Sequence, residues 1–315
     1  MNRAFLCLTV VAAWPALAAN PFAGDWALTS EDGGAIWLGV AGSDTDPAVR
    51  MMWKFGGVRS AGNPRIEDGN LRFETVRASR DARIVEEYEV NVTGDEMTLK
   101  LVSPGKETAT GKRQPPLPAP PDLPAVRWGE PVSLFNGRNL AGWRLTNPKA
   151  TNGWSVEDGV MINSTPGRHA TPRVHYGNIR TDQEFEDFKL TLEARVPEEG
   201  NSGVYLRGIY EVQVSARGEG EPGLHGAGSI FSRIAPSSNA ARPAGEWQSY
   251  GITLVDRRVT VELNGVVVID NRPLHGCTGG ALWSDVERPG PVYLQGDHTD
   301  VEYRNIVLTP VAPLH

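Results

Sequence analysis

The chain of 315 residues has only two cysteines, and its apolar residues do not recur at the helical period. Each absence excludes a class of protein structure. The two cysteines are Cys7, which falls in a predicted leader, and Cys277, so the processed chain cannot form an internal disulfide. No long stretch repeats apolar residues at the helical period, which argues against a helical bundle. With 31 Lys and Arg against 38 Asp and Glu, the net charge of −7 offers no basic surface for nucleic acid or for an anionic membrane. Signatures of P-loops, zinc proteases, EF-hands and nucleophile elbows are also missing.

Residues 1–18 predict a leader peptide. A basic start at Arg3 precedes the apolar run 4–13, and Ala16-Leu17-Ala18 supplies the small residues that a signal peptidase reads. The apolar run is too short to span a bilayer, for which about 20 residues are needed. We therefore expect an exported protein, periplasmic or secreted, without a membrane span.

A proline tract divides the remaining chain. Six of the ten residues from Pro115 to Pro124 are proline, so we predict a linker over residues 111–128 in an extended polyproline conformation. Fully extended at about 3.1 Å per residue, the tract would hold its neighbours roughly 30 Å apart. The predicted units are residues 19–110 and residues 129–312.

Both units have the pattern of antiparallel β structure. Apolar and polar residues alternate along 19–110, which predicts a small meander or barrel, with docking to a partner protein as one possible role. In residues 129–312 the run from Phe188 to Val196 alternates strictly, and Asn264-Gly265 has the sequence of a tight hairpin turn. Many strands in a unit of this size indicate a two-sheet jelly roll.

The non-core face of these strands carries polar and aromatic residues. Alternation places them opposite the aliphatic positions of their strands, and Asp297 and His298 follow the last such strand. Carboxylates and amides bind hydroxyl pairs, and aromatic rings pack on sugar faces, so the pattern favours a carbohydrate ligand over a plain solvated surface. We predict one concave site built from Glu193, Tyr205, Arg207, Glu211, Gln213, Gln295 and His298, with Trp283 at its rim.

The second unit resembles the 3-keto-disaccharide hydrolase family over about residues 131–310. The resemblance rests on the stretches Leu134-Phe-Asn-Gly-Arg-Asn-Leu-Ala-Gly-Trp143, Gly200-Asn-Ser-Gly-Val-Tyr-Leu-Arg207, Tyr210-Glu-Val-Gln-Val214 and Pro291-Val-Tyr-Leu-Gln-Gly-Asp-His298. It implies a concanavalin A-like jelly roll and an enzyme that cleaves 3-keto-glycosides by C2 deprotonation, elimination and hydration.

The implied chemistry needs a base and an electrophile at the C3 oxygen. His298 or Glu211 is the expected base, and Arg207 or a divalent cation is the expected electrophile. Glu193, Gln213, Tyr205, Gln295 and Trp283 are the expected substrate contacts. Because successive residues of a strand point to opposite faces, Asp297 and His298 can share a ligand only if one of them lies in a loop. The alternative is a non-catalytic carbohydrate-binding module with the same fold.

Overall fold

The computed structural model describes residues 20–78, 83–166, 169–216, 218, 220 and 222–312. The predicted leader and its cleavage site lie outside these residues. The regular structure of the described residues is 22 β-strands and one 3-10 turn, so the all-β fold class is confirmed. No helix in this part of the chain is long and apolar enough to cross a membrane.

The first body, residues 20–113, is one antiparallel sheet of nine strands in the order β4-β3-β2-β1-β9-β8-β7-β6-β5. The strands are β1 (Gly24–Ser30), β2 (Ala35–Gly42), β3 (Pro47–Trp53), β4 (Arg59–Ser60), β5 (Gly62–Glu67), β6 (Asn70–Ala78), β7 (Arg83–Thr93), β8 (Glu96–Ser103) and β9 (Glu107–Arg113). Strand β9 therefore extends three residues past the predicted boundary at 110.

The first sheet curls into a nearly closed barrel. Its two edge strands, β4 and β5, are separated only by Ala61, whose N–H donates to the carbonyl of Val49 in β3 at 2.9 Å. The interior holds alternating apolar residues of every long strand, including the fully buried Trp26. The guanidinium of Arg113 lies 4.1 Å from the Trp26 ring and covers that end of the barrel.

The second body, residues 129–312, is a sandwich of two sheets. One sheet has the order β12-β13-β22-β15-β18-β19-β20, with β10 also paired to β22, and the other has the order β11-β14-β21-β16-β17. The strands are β10 (Val132–Ser133), β11 (Trp143–Leu145), β12 (Trp154–Glu157), β13 (Val160–Asn163), β14 (Ile179–Thr181), β15 (Phe188–Arg195), β16 (Asn201–Leu206), β17 (Tyr210–Ser215), β18 (Gln248–Val255), β19 (Arg258–Leu263), β20 (Val266–Pro273), β21 (Tyr293–Leu294) and β22 (Val301–Pro310). The turn Leu123–Ala125 lies between the two bodies.

Apolar side chains of both sheets form one core. Leu190 and Leu192 of β15 belong to the same buried cluster as Val204 and Val212 of the opposite sheet. This shared core leaves the other face of β16, β17 and β21 for polar side chains, because successive residues alternate in direction.

The proline tract does not hold the two bodies apart, contrary to the extended-linker expectation. Trp37 of the barrel is buried in the core cluster of the second body, and the guanidinium of Arg233 lies 4.2 Å from its ring. The imidazole of His275 bonds the carboxylate of Asp25 at 2.9 Å. Burial of a large aromatic side chain contributes on the order of 1.5–3 kcal/mol, so this contact stabilises the association of the two bodies.

Candidate functional site

A pocket of about 180 Å³ lies on the face of β16, β17 and β21 that points away from the sandwich core. Both bodies line it, through Phe55, Gly56, Asn178, Asn201, Tyr205, Glu211, Phe231, Gly279, Gly280, Tyr293, Gln295, Asp297 and His298. Four other cavities of the described residues are larger, at about 260 to 520 Å³, and none of them is lined by a buried carboxylate. The buried carboxylate makes this pocket the candidate site.

The polar face is covered, not open as the alternation alone suggests. The backbone of Val212 in β17 bridges to Ile230, and the N–H of Glu211 donates to Oγ1 of Thr278 at 3.0 Å. The N–H of Gly280 donates to the carbonyl of Lys54 in the first body at 2.8 Å. Two loops of the sandwich and one loop of the barrel thus exclude solvent from most of the face.

Glu211 lies at the floor of the pocket and is 3% exposed. Its carboxyl group lies across Gly203 of the neighbouring strand, where an added Cβ atom would be 2.3 Å from Oε1. Burial, reinforced by the charge of Asp297, raises the pKa of Glu211 to about 8. No described Lys, Arg or His forms an ion pair with it. The carboxyl group therefore holds a proton at neutral pH.

The hydrogen bonds around Tyr205 agree with a protonated Glu211. The Tyr205 hydroxyl is 2.9 Å from Oε2 of Glu211 and 2.7 Å from the carbonyl of Gly279. A hydroxyl has one proton to donate, so both contacts are hydrogen bonds only if Glu211 donates to Tyr205 while Tyr205 donates to Gly279. An ionised Glu211 would leave one of the two acceptors without a proton.

Two stacked tyrosine rings support this floor. The Tyr205 and Tyr293 rings lie 3.8 Å apart with an interplanar angle of 13°. The hydroxyl of Tyr293 donates to the carbonyl of Gly280 at 2.7 Å. Burial raises the pKa of both tyrosines well above the usual value, so they stay neutral and act as donors.

Asp297 and His298 form the other polar wall. Strand β21 ends at Leu294, so both residues lie in a loop and both side chains line the pocket. Nδ1 of His298 is 2.6 Å from Oδ1 of Asp297. A carboxylate on one ring nitrogen fixes the orientation of an imidazole, which is the arrangement used in acid–base catalysis. Because both residues lie in a loop, strand alternation does not point their side chains to opposite faces, and the two can contact the same ligand.

Three amide side chains complete the lining. Oδ1 of Asn178 accepts the N–H of Gly296 at 2.8 Å, and Oδ1 of Asn201 accepts Nε2 of Gln213 at 2.8 Å. The side-chain NH₂ group of each asparagine is therefore the part that can donate a hydrogen bond to a ligand. Oε1 of Gln295 is buried and no described residue donates to it. The pocket thus offers amide donors and an amide acceptor to a hydroxylated ligand.

The structure brings together four of the predicted residues, Tyr205, Glu211, Gln295 and His298, in the pocket lining. Gln213 lies behind them and positions Asn201.

The predicted placement of Glu193 is wrong. Glu193 belongs to β15 of the opposite sheet, where its carboxylate pairs with Arg304 at 2.9 Å. The outer faces of two sandwich sheets point in opposite directions, so this residue cannot reach the pocket.

The predicted positions of Arg207 and Trp283 are also wrong. Arg207 has φ of 53° in the tight turn after β16, which takes its side chain out of the strand alternation. Its guanidinium donates to the carbonyls of Val286 and Arg288 at 2.8 and 2.7 Å. Trp283 stacks under the Arg288 guanidinium at 3.7 Å. Neither residue lines the pocket, and no ion pair joins Arg207 to Glu211.

Sequence reasoning missed Phe55, Asn178 and Asn201. Strand alternation could have indicated Asn201, because it lies four residues before Tyr205 on β16 and therefore points to the same face of the sheet. Asn178 precedes a short strand, and Phe55 belongs to the other body. No local pattern could have indicated either residue.

The donor set for the predicted cation does not fit. Among the described residues, no three His, Cys, Asp or Glu side chains are grouped closely enough to bind a metal ion. The pocket as described combines a protonated carboxyl group, a His–Asp pair and amide side chains.

Residues 130–309 match the model of the 3-keto-alpha-glucoside-1,2-lyase-like domain. The match covers more than half of the 315 residues, and the chain belongs to this family, as its motifs predict. A 3-keto-disaccharide hydrolase from Bacteroides thetaiotaomicron is 29% identical over 76 residues, which are 24% of this chain and 26% of that protein. The match thus spans about a quarter of the curated relative.

Two crystal structures of candidate glycosyl hydrolases from Parabacteroides distasonis are also similar. The first is 29% identical with a TM-score of 0.47 and covers 62% of this chain and 93% of that one. The second is 20% identical with a TM-score of 0.45 and covers 58% and 94%.

Proposed function

We propose that the chain is an exported enzyme that cleaves 3-keto-glucosides by acid–base elimination followed by hydration. The observation that carries this proposal is a buried, protonated Glu211 in one pocket with the His298–Asp297 pair. Two titratable groups in different environments are what a paired acid and base require. Family membership supports the 3-keto substrate, and the pocket is smaller than the roughly 300–1,000 Å³ of drug-sized sites, which suits a single sugar ring.

The first step is removal of the C2 proton. A ketone at C3 acidifies this proton, and His298, oriented by Asp297, takes it. Charge then develops on the C3 oxygen, where the NH₂ groups of Asn178 and Asn201 donate hydrogen bonds. These amides replace Arg207 in the role of electrophile.

The second step is elimination at C1. The electron pair of the C2–H bond forms the C1=C2 double bond, and the C1–O pair leaves with the aglycone. Glu211 gives its proton to that leaving oxygen.

Water then adds to C1, which restores a proton to Glu211, while His298 returns its proton to C2. One water molecule is consumed, and the result is hydrolysis.

The test is turnover of a 3-keto-disaccharide by the purified full chain, followed by free sugar release and by the absorbance of the enone intermediate. Glu211→Gln and His298→Ala should each slow release by about 10²–10⁴-fold. Glu193→Gln, on the opposite sheet, serves as the matched control. Saturable binding without turnover by the wild type would favour the carbohydrate-binding module instead. Fractionation of cells that express the full chain tests export separately.

A further inference from the structure

The loop between β3 and β4 of the barrel, residues 54–58, is fixed to the second body at three points. The carbonyl of Lys54 accepts the N–H of Gly280 at 2.8 Å, and the N–H of Val58 donates to Oγ of Ser232 at 2.8 Å. Between them, the backbones of Gly56 and Gly279 approach so closely that a Cβ atom on Gly279 would be 2.2 Å from the Gly56 carbonyl oxygen. These contacts hold the loop in one position over the pocket.

The base of this loop is also fixed within the barrel. Nζ of Lys54 forms ion pairs with Asp32, at 2.8 Å, and with Glu107, and its side chain is only 14% exposed. The loop is therefore pre-organised, and a ligand that contacts it pays little for ordering it.

Phe55 stands at the tip of this rigid loop. Its side chain is 77% exposed, the most of any large hydrophobic residue among those the structure describes, and yet it lines the pocket. Glu211 at the floor is 3% exposed, so Phe55 marks the solvent end of the same pocket. Binding a ligand over this exposed ring is favourable because it removes apolar surface from water.

We propose that Phe55 is a specificity-determining contact for the leaving group of the substrate. This inference rests on the proposed function. The keto ring lies at the floor beside Glu211 and His298, and the group bonded to C1 extends toward the mouth and packs on the Phe55 ring. The barrel thereby selects substrates with a second sugar ring over those with a small aglycone.

The experiment compares two substrates in the full chain. Phe55→Ala should lower kcat/KM about 10-fold for a 3-keto-disaccharide, equivalent to about 1.4 kcal/mol, and less than 2-fold for methyl 3-ketoglucoside. Phe55→Tyr should keep the wild-type ratio because it retains the ring. Val102→Ala, at another exposed apolar position of the barrel, should leave both substrates unchanged. The melting temperature of each variant should stay near that of the wild type.

Equal effects of Phe55→Ala on both substrates, or no effect on either, would overturn the inference alone. If the wild type turns over neither substrate, calorimetric titration with the disaccharide decides the matter. Binding that weakens about 10-fold in Phe55→Ala would support the contact and refute the proposed reaction. Equal affinities, or no binding to either protein, would overturn the contact as well.

Discussion

Replacing Glu211 by glutamine gives the sharpest test of the protonated carboxyl group. In the folded protein the pKa of Glu211 is about 8, against an ordinary value of 4.5. Between these two values the folded state binds more protons than the unfolded state. The free energy of unfolding must therefore fall as pH rises through this window. The amide that Glu211→Gln introduces cannot ionise, so the variant lacks this dependence.

The size of the effect follows from the two pKa values. The full difference between 4.5 and about 8 corresponds to at most about 5 kcal/mol, of which about 3.5 kcal/mol is lost between pH 5 and pH 8. With an unfolding entropy of about 2.1 cal/mol/K per residue, that is a drop of roughly 5 °C in melting temperature for a unit of 315 residues. The introduced amide can still donate to the Tyr205 hydroxyl, so the variant should keep the fold.

The assay is differential scanning calorimetry of wild type and Glu211→Gln from pH 5 to pH 8. The stability gained by the variant should grow with pH. Glu193→Gln is the control: hydrogen bonds from Arg304 hold the pKa of Glu193 below its usual range, so its stabilisation is lost only as pH falls below about 4.5. Parallel curves for wild type and Glu211→Gln would refute the protonated state of Glu211.

The remaining predictions concern activity and packing. The wild-type kcat/KM should fall as pH rises through about 8, where Glu211 loses its proton; a rise there would contradict its role as acid. His298→Ala should lower kcat by about 10²–10⁴ with little change in melting temperature, because the side chain is half exposed. Gly203→Ala should lower both activity, by about 10-fold or more, and melting temperature, since its Cβ displaces the Glu211 carboxyl group. Arg207→Ala should cost about 1–3 kcal/mol of stability by leaving two carbonyls unpaired, measured by denaturation, while kcat stays within a few-fold of wild type.

Much of the site could be predicted because strand geometry is local. Alternation with a period of two placed Tyr205 and Glu211 on the face opposite the core, and the structure has them there. The same rule failed for Arg207, because a positive φ in the turn after β16 ends the alternation. It failed for Glu193 because alternation gives the face of a strand within its own sheet and does not say which sheet the strand joins.

By itself the sequence determined the all-β class, the family and the strand faces, since turn residues and two-residue periodicity act over a few neighbours. The tertiary structure alone decided that the barrel docks on the sandwich. Asp25 and His275, for instance, meet across 250 residues of chain. That docking and the sandwich loops bury the polar face of β17, and burial is what raises the pKa of Glu211 to about 8. The pKa of a carboxyl group depends on the atoms that surround it in the folded protein. The residues next to Glu211 in the sequence therefore do not reveal its raised pKa.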